Sequence, residues 1–257
     1  MGGMQSDDTP VPLTGGNVAH GVVRIGQTVR RPAGPWSPSV HALLRHLDDV
    51  GFSSAPRSLG FDEQGRHVLE YVEGEVPMPV AAADGLDFPR RAGALIRDFH
   101  DASAEYEAPV DAIWNVVIPP DSEDLVIHHD LGPWNLVCAP TRWVFIDWDN
   151  AGLGSRLWDL AYAAHGFVPL DAAASPAAAG ERLAALVSGY RLSEPDRERL
   201  LALLPRRAMG MYELLARGHA SGTQPWARLW AQGHGAIWRA KADYALTHLE
   251  ILRAACR

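Results

Sequence analysis

The chain has 257 residues, 47% of them hydrophobic, and a formal net charge of −8. That length supports a substantial core in one large domain or two small ones, the acidic balance argues against general nucleic-acid binding, and no apolar run reaches the ~18 residues of a membrane span. Two cysteines, Cys138 and Cys256, make neither a disulfide framework nor a metal cluster, so a reducing cytoplasm is the expected compartment. Lys241 is the only lysine among 23 basic residues.

The N-terminal stretch MGGMQSDDTPVP lacks the basic and apolar regions of a signal peptide, and residues 1–11 read as a flexible leader. LTGGNVAHGVVRIGQTVRR, residues 13–31, reads as strand, Gly-rich turn, strand, a tight turn at Gly26 and Gln27, and strand. PWSPSVHALLRHLDDVG reads as a helix capped by Ser37, with Pro38 in its first position and Gly51 as its stop. RSLGFDEQGRHVLEYVEG is a hairpin turning between Asp62 and Gly65, and Pro77, Pro79 and Gly85 mark a connector. Beyond it the spacing of Ala92, Leu95, Ile96 and Phe99 predicts a helix. Helices also follow in SRLWDLAYAAHGF, in AAAGERLAALVSGYR and in SEPDRERLLALL, the last with Ser193 as its cap. Trp226 to Arg253 reads as one long helix or a broken pair, with Gly233 and Gly235 as weak points. The organisation is a β-rich lobe over 12–76, a hinge at about 70–80 and a mainly α-helical lobe over 77–257.

Between the helices lies LVIHHDLGPWNLVCAPTRWVFIDWDNAG, residues 125–152, where ionisable side chains interrupt short apolar runs. His128, Asp130 and Asn135 fit H-x-D-x-x-x-x-N, and Asp147 follows one hairpin later, after strands at Leu136 to Cys138 and Trp143 to Ile146. Phosphoryl transfer uses these residue types: one aspartate orients the attacking hydroxyl, while an asparagine and a second aspartate offer hard oxygen ligands to magnesium on the nucleotide phosphates. No G-x-x-x-x-G-K-[ST] is present, so the chain is not a P-loop NTPase.

IHHDLGPWNLV and FIDWDNAGLGSRLWDLA resemble the aminoglycoside phosphotransferase and choline kinase-like family of small-molecule kinases, over roughly residues 12–190. The resemblance implies an α+β, protein-kinase-like two-lobed fold: a small antiparallel sheet with one helix, then a larger helical lobe. It implies an ATP- or GTP-dependent phosphotransferase acting on a hydroxyl of a small molecule such as an aminoglycoside-like antibiotic, an amino alcohol or a sugar, with Mg2+ and without nucleic-acid or membrane partners, as a monomer or homodimer. By the same match Asp130 and His128 fall at the catalytic positions, Asn135 and Asp147 at the metal ligands, and Asp159 at a buried brace for the catalytic loop. Gly15, Gly16 and Asn17 resemble the phosphate-approaching turn, and the Glu70 carbonyl and Val72 N–H the hinge contacts to adenine.

One departure is visible. The family places a lysine on the third strand, paired with a glutamate on the next helix. Here that strand reads TVRR, the pattern puts Arg30 in the lysine's place with Arg31 out of phase, and the helix offers His41. Loss of that pair motivates an alternative, a pseudokinase that binds nucleotide or ligand with weak or no turnover. A metal hydrolase built on His128, His129, Asp130 and Asp147 is a third class, opposed by the expectation that adjacent histidines in an extended segment face opposite ways. For the acceptor, Trp158, Tyr162, Tyr190, Tyr212, Trp226, Trp230, Trp238 and Tyr244 supply aromatic surface, and Asp159, Glu213 and Asp243 supply charge.

Overall fold

A five-stranded antiparallel sheet occupies the N-terminal part of the chain in a computed structural model that describes residues 9–13, 21–78, 85–172 and 174–257. Its strands, β1 (Val11–Pro12), β2 (Val23–Ile25), β3 (Thr28–Arg31), β4 (Ser58–Phe61) and β5 (His67–Glu70), run in the order β1-β2-β3-β5-β4. Gly15, Gly16 and Asn17 lie outside the described residues, as does the leader before residue 9. The hairpin turns fall where Gly26 and Gly65 take positive φ, +56° and +72°, which glycine adopts without a Cβ penalty. Helix α1 (Ser37–Asp49) joins β3 to β4 and buries Val40, Leu43, Leu44 and Leu47. Its cap is Trp36, not the expected Ser37, whose hydroxyl instead accepts the Gly34 N–H at 3.0 Å.

The connector is tied down by a bridge between Glu75 and Cys138, whose N–H groups each donate to the other's carbonyl. After it come α2 (Asp87–Ser103), α3 (Arg156–Phe167), α4 (Pro176–Tyr190), α5 (Glu194–Ser221), α6 (Trp226–Ala231), α7 (His234–Thr247) and α8 (Leu249–Ala255). Two short antiparallel pairs interrupt them: β6 (Leu125–Ile127) with β9 (Gly152–Gly154), and β7 (Leu136–Cys138) with β8 (Trp143–Phe145). The architecture is the expected two-lobed, protein-kinase-like α+β fold.

Helix α5 runs 28 residues and passes through Pro205, where the sequence pattern ends it. Proline removes one N–H and crowds the carbonyl four residues back, but the flanking turns are held by burial of Leu200, Leu201, Leu203, Leu204, Arg207 and Ala208. The C-terminal segment breaks at Gly233 (φ +89°) and again at His248, giving three helices; Gly235 stays helical, its missing side chain leaving room for the Trp230 ring.

Helices α2 and α4 cross closely because each lends a glycine to the contact. A Cβ on Gly93 would meet the Leu186 carbonyl oxygen at 2.1 Å, and one on Gly189 would meet the Arg90 carbonyl oxygen at 1.9 Å. Both obstacles are backbone, so a whole helix must move to relieve them. Gly93→Ala is therefore expected to cost about 1–3 kcal/mol, the usual range for overpacking a core. Urea unfolding of the variant checks this; a midpoint equal to that of the unaltered protein contradicts so tight a crossing.

Candidate active site

Strand β6 delivers His128 and His129 to a buried carboxylate. Their consecutive N–H groups donate to the two oxygens of Asp159, at 3.0 Å from His128 and 2.9 Å from His129. Pointing successive amides at one carboxylate forces the backbone out of the strand conformation, and His129 takes φ +65°. Asp159 sits in the first turn of α3, whose cap Ser155 accepts the Trp158 N–H. A third donor, His100 Nε2–H, reaches Asp159 at 3.2 Å, while His100 Nδ1 accepts the Tyr190 hydroxyl at 2.8 Å. Burial works to raise the Asp159 pKa, and the His100 contact and neighbouring imidazoles outweigh it, holding the carboxyl below its ordinary range. Asp159 thus braces the loop, as the sequence implied.

The loop then turns Asp130 into the cleft. Its Oδ1 accepts the Trp134 indole N–H at 3.2 Å, and its Oδ2 accepts Asn135 Nδ2–H at 2.9 Å. Asn135 is buried; its carbonyl accepts the Ile146 N–H at 2.8 Å, fixing this loop to the one that carries Asp147. Gly132 lets Trp134 fold back, since a Cβ there would stand 2.3 Å from the indole. Burial raises the Asp130 pKa, and the negative charge of Asp147 adds to the rise. Asp147 itself is left-handed (φ 64°, ψ 61°), and its carboxylate lies near enough to Asp130 to act on it electrostatically. Asp130, Asn135 and Asp147 therefore come together as expected.

Two site expectations are corrected. His128 is fully buried, with Nε2 donating to the Ile146 carbonyl at 3.1 Å and Nδ1 accepting the Asp130 N–H at 3.3 Å. Both ring nitrogens serve backbone, so His128 is a strut and not a reacting group. His129 is likewise tied through Nε2 to the Leu153 carbonyl at 3.1 Å.

The second correction is the arginine. Arg31, not Arg30, faces the cleft: its Nη2 donates to Asp147 Oδ1 at 2.8 Å and to Asp149 Oδ2 at 2.6 Å. Arg30 lies one residue out on the opposite face of β3 and approaches Asp62 at 3.6 Å. His41 makes no ion pair here; its Nδ1 meets Ser58 Oγ at 2.7 Å, and Ser58 Oγ meets His67 Nε2 at 2.6 Å. At the hinge, Glu70 closes β5 with its side chain held by Arg142 at 2.5 Å, and Val72 follows half-buried in the connector.

Of the expected acceptor aromatics, Tyr190 and Tyr244 belong to the main core, together with Trp158. Tyr162 and Trp238 stack at 5.6 Å and pack with Tyr212, Trp226 and Trp230. Trp134, which the motif pattern passed over as a spacer, meets Tyr162 edge-on at 5.9 Å. Glu213 and Asp243 are exposed and pair with Arg217 and Arg239 one turn away, so neither reaches this cluster's interior.

Three buried imidazoles set a pH limit. Burial pushes His67 and His129 down to about 4 and His165 to about 3. Their folded values lie below the ordinary 6.5, so the unfolded chain binds the extra protons and stability falls as pH drops from about 6.5 toward 4. Each group adds a slope of about 1.4 kcal/mol per pH unit in that window. Chemical denaturation at pH 7, 6 and 5 should show this loss, with a shallower slope for His165→Gln; a flat profile contradicts neutral burial.

The model of a phosphotransferase enzyme family matches residues 104–203, the stretch that holds Asp130, Asn135, Asp147 and Asp159, so the resemblance read from those motifs is borne out. The chain is 40% identical over 146 residues to the trifolitoxin immunity protein of Rhizobium leguminosarum bv. trifolii, an alignment spanning 54% of this chain and 55% of that protein. The fold matches a choline/ethanolamine kinase family protein of Mesorhizobium loti (TM-score 0.63, 17% identity, 98% of this chain and 94% of that one). It also matches an amicoumacin kinase in complex with AMP-PNP, Ca2+ and its ligand (TM-score 0.63, 14% identity, 84% of each chain). A microcompartment-associated aminopropanol kinase aligns with TM-score 0.58, at 18% identity over 91% of this chain and 89% of that one. Among the described residues no helix is long and apolar enough to cross a membrane.

Proposed function

We propose that the protein is an ATP- or GTP-dependent kinase that phosphorylates a hydroxyl group of a small molecule in the cytoplasm. The observation that carries this reading is the convergence of Asp130, Asn135 and Asp147 from two loops locked together by the Asn135–Ile146 hydrogen bond. Residues 12–76 form the nucleotide-binding lobe and residues 77–257 carry the catalytic loop and the acceptor side. The Glu70 carbonyl and Val72 N–H are the contacts we assign to the adenine edge, and the motif resemblance assigns Gly15, Gly16 and Asn17 to phosphate binding.

Asn135 and Asp147 fit a divalent cation by donor type, and the space beside Asp147 already takes a positive charge, the Arg31 guanidinium. When bound, the metal neutralises the phosphate oxygens that gain charge during transfer. Asp130 positions the acceptor: Trp134 and Asn135 fix its carboxylate so that it accepts a hydrogen bond from the substrate hydroxyl. The hydroxyl oxygen attacks the γ-phosphorus, the bond to the bridging oxygen breaks toward the nucleoside diphosphate, and the proton passes to Asp130. The raised proton affinity of Asp130 suits that late acceptance. Arg31 supplies N–H donors to the phosphates in the role the sequence pattern assigned to Arg30.

For the acceptor, the 40% identity to a toxin immunity protein and the fold shared with an amicoumacin kinase support an antibiotic or toxin bearing a hydroxyl. The half-buried rings of Trp134 and Trp230, packed on buried Tyr162 and Trp238, offer it apolar surface, Trp134 directly beside Asp130.

The test is release of nucleoside diphosphate from ATP and from GTP across hydroxyl-bearing antibiotics, amino alcohols and sugars. Turnover is expected with at least one acceptor, and Asp130→Asn should lower kcat by at least ~100-fold while nucleotide affinity holds. Tight nucleotide binding with no turnover on any acceptor supports the pseudokinase instead, and equal activity in Asp130→Asn removes this aspartate from the chemistry.

A further inference from the structure

Arg31 has a carboxylate partner that the kinase pattern does not place there. The glutamate expected on α1 is His41, which is engaged with Ser58. The carboxylate that reaches the guanidinium instead is Asp149, in the 3-10 turn Trp148–Asn150 directly after Asp147. At 2.6 Å it is the shorter of the two Arg31 contacts, and both side chains are largely withdrawn from water, with 12% of Arg31 and 22% of Asp149 exposed. Both carboxylates use one nitrogen, Nη2, so among the described residues Nε and Nη1 of the fork remain as donors for a further anion.

We propose that Asp149 is the positioning residue for Arg31, performing from the loop after Asp147 the service that a helix glutamate renders to the strand lysine elsewhere in this fold. The inference rests on the reading of this cleft as a nucleotide site. The two contacts of Nη2 differ in consequence. Asp147 is needed as a ligand once a nucleotide and its cation are present, so the Arg31–Asp147 contact is exchanged. The Arg31–Asp149 contact is kept, and it holds the guanidinium while Nε and Nη1 turn to phosphate. A guanidinium suits the altered partner: it is wider than an ammonium and has donors on several edges, so it spans from β3 to the turn and still reaches an anion, whereas a lysine on the same strand would offer a single point.

Two measurements test it. The first needs no nucleotide: a double-mutant cycle of Arg31→Ala and Asp149→Asn by urea unfolding, where coupling between the two changes is expected and strict additivity overturns the pair. The second follows the binding of ADP with magnesium by calorimetry, the condition in which Asp147 is drawn to the cation and Asp149 is left to hold Arg31. Arg31→Ala and Asp149→Asn are each expected to weaken ADP at least fivefold, and the double variant to bind no more weakly than Arg31→Ala alone. Asp149→Glu should recover part of the loss. Asp149→Asn with unchanged ADP affinity, beside a weakened Arg31→Ala, overturns the assignment of Asp149 and leaves the nucleotide site intact. If the unaltered protein binds neither ADP nor ATP, with or without magnesium, the functional reading fails and this inference with it.

Discussion

The carboxylate of Asp159 is the constraint on which the catalytic loop depends. A buried charge is tolerated only when donors surround it, and here three come from two distant parts of the chain: the amides of His128 and His129 and the imidazole of His100. Satisfying two successive amides with one side chain requires the left-handed turn at His129, and that turn aims Asp130 out of the core. Arg207 then donates to the His129 carbonyl at 3.0 Å, so the bent peptide is held from both sides. Geometry at the reacting edge is thus stored in the interior, on α2, α3 and α5, and not in the loop's own sequence.

The loop's geometry was legible because it is local. H-x-D-x-x-x-x-N places Asp130 and Asn135 five residues apart, close enough for the Asn135 amide to donate to both the Asp130 carbonyl and its Oδ2, and Asp147 follows after one hairpin. The same locality misled at His128: a histidine two residues from the proposed catalytic aspartate has the right type, but the Asp130 N–H and the Ile146 carbonyl consume both nitrogens. Sequence spacing does not record which partners tertiary structure supplies. Trp134 was hidden for the opposite reason, being a spacer position in the motif that becomes the indole donor to Asp130.

Phase was the second thing the sequence could not settle. In TVRR two arginines stand side by side on a four-residue strand, and a period of two gives one of them to the cleft without saying which. The register of β3 against β5, Arg31 opposite His67 and Arg30 opposite Val68, decides it. Helix α5 posed a related problem: Pro205 reads as a stop, and only packing on both sides of it keeps the helix going. In each case the local signal was ambiguous and long-range burial chose.

The acceptor side follows a different logic from the catalytic loop. Its aromatic faces are partly taken up by the chain's own cations: the Arg207 guanidinium lies 4.2 Å from the Tyr162 ring and 5.3 Å from Trp158, and Arg239 stands 5.9 Å from Tyr212. A face that already holds a guanidinium has little attraction left for a second positive charge. Arg207 is buried, and burial lowers its pKa against the attraction of Tyr162, Asp159 and Asp130, while burial raises the pKa of Asp130. The acidic residues that balance the chain's charge, Glu213 and Asp243 among them, spend theirs on exposed one-turn pairs.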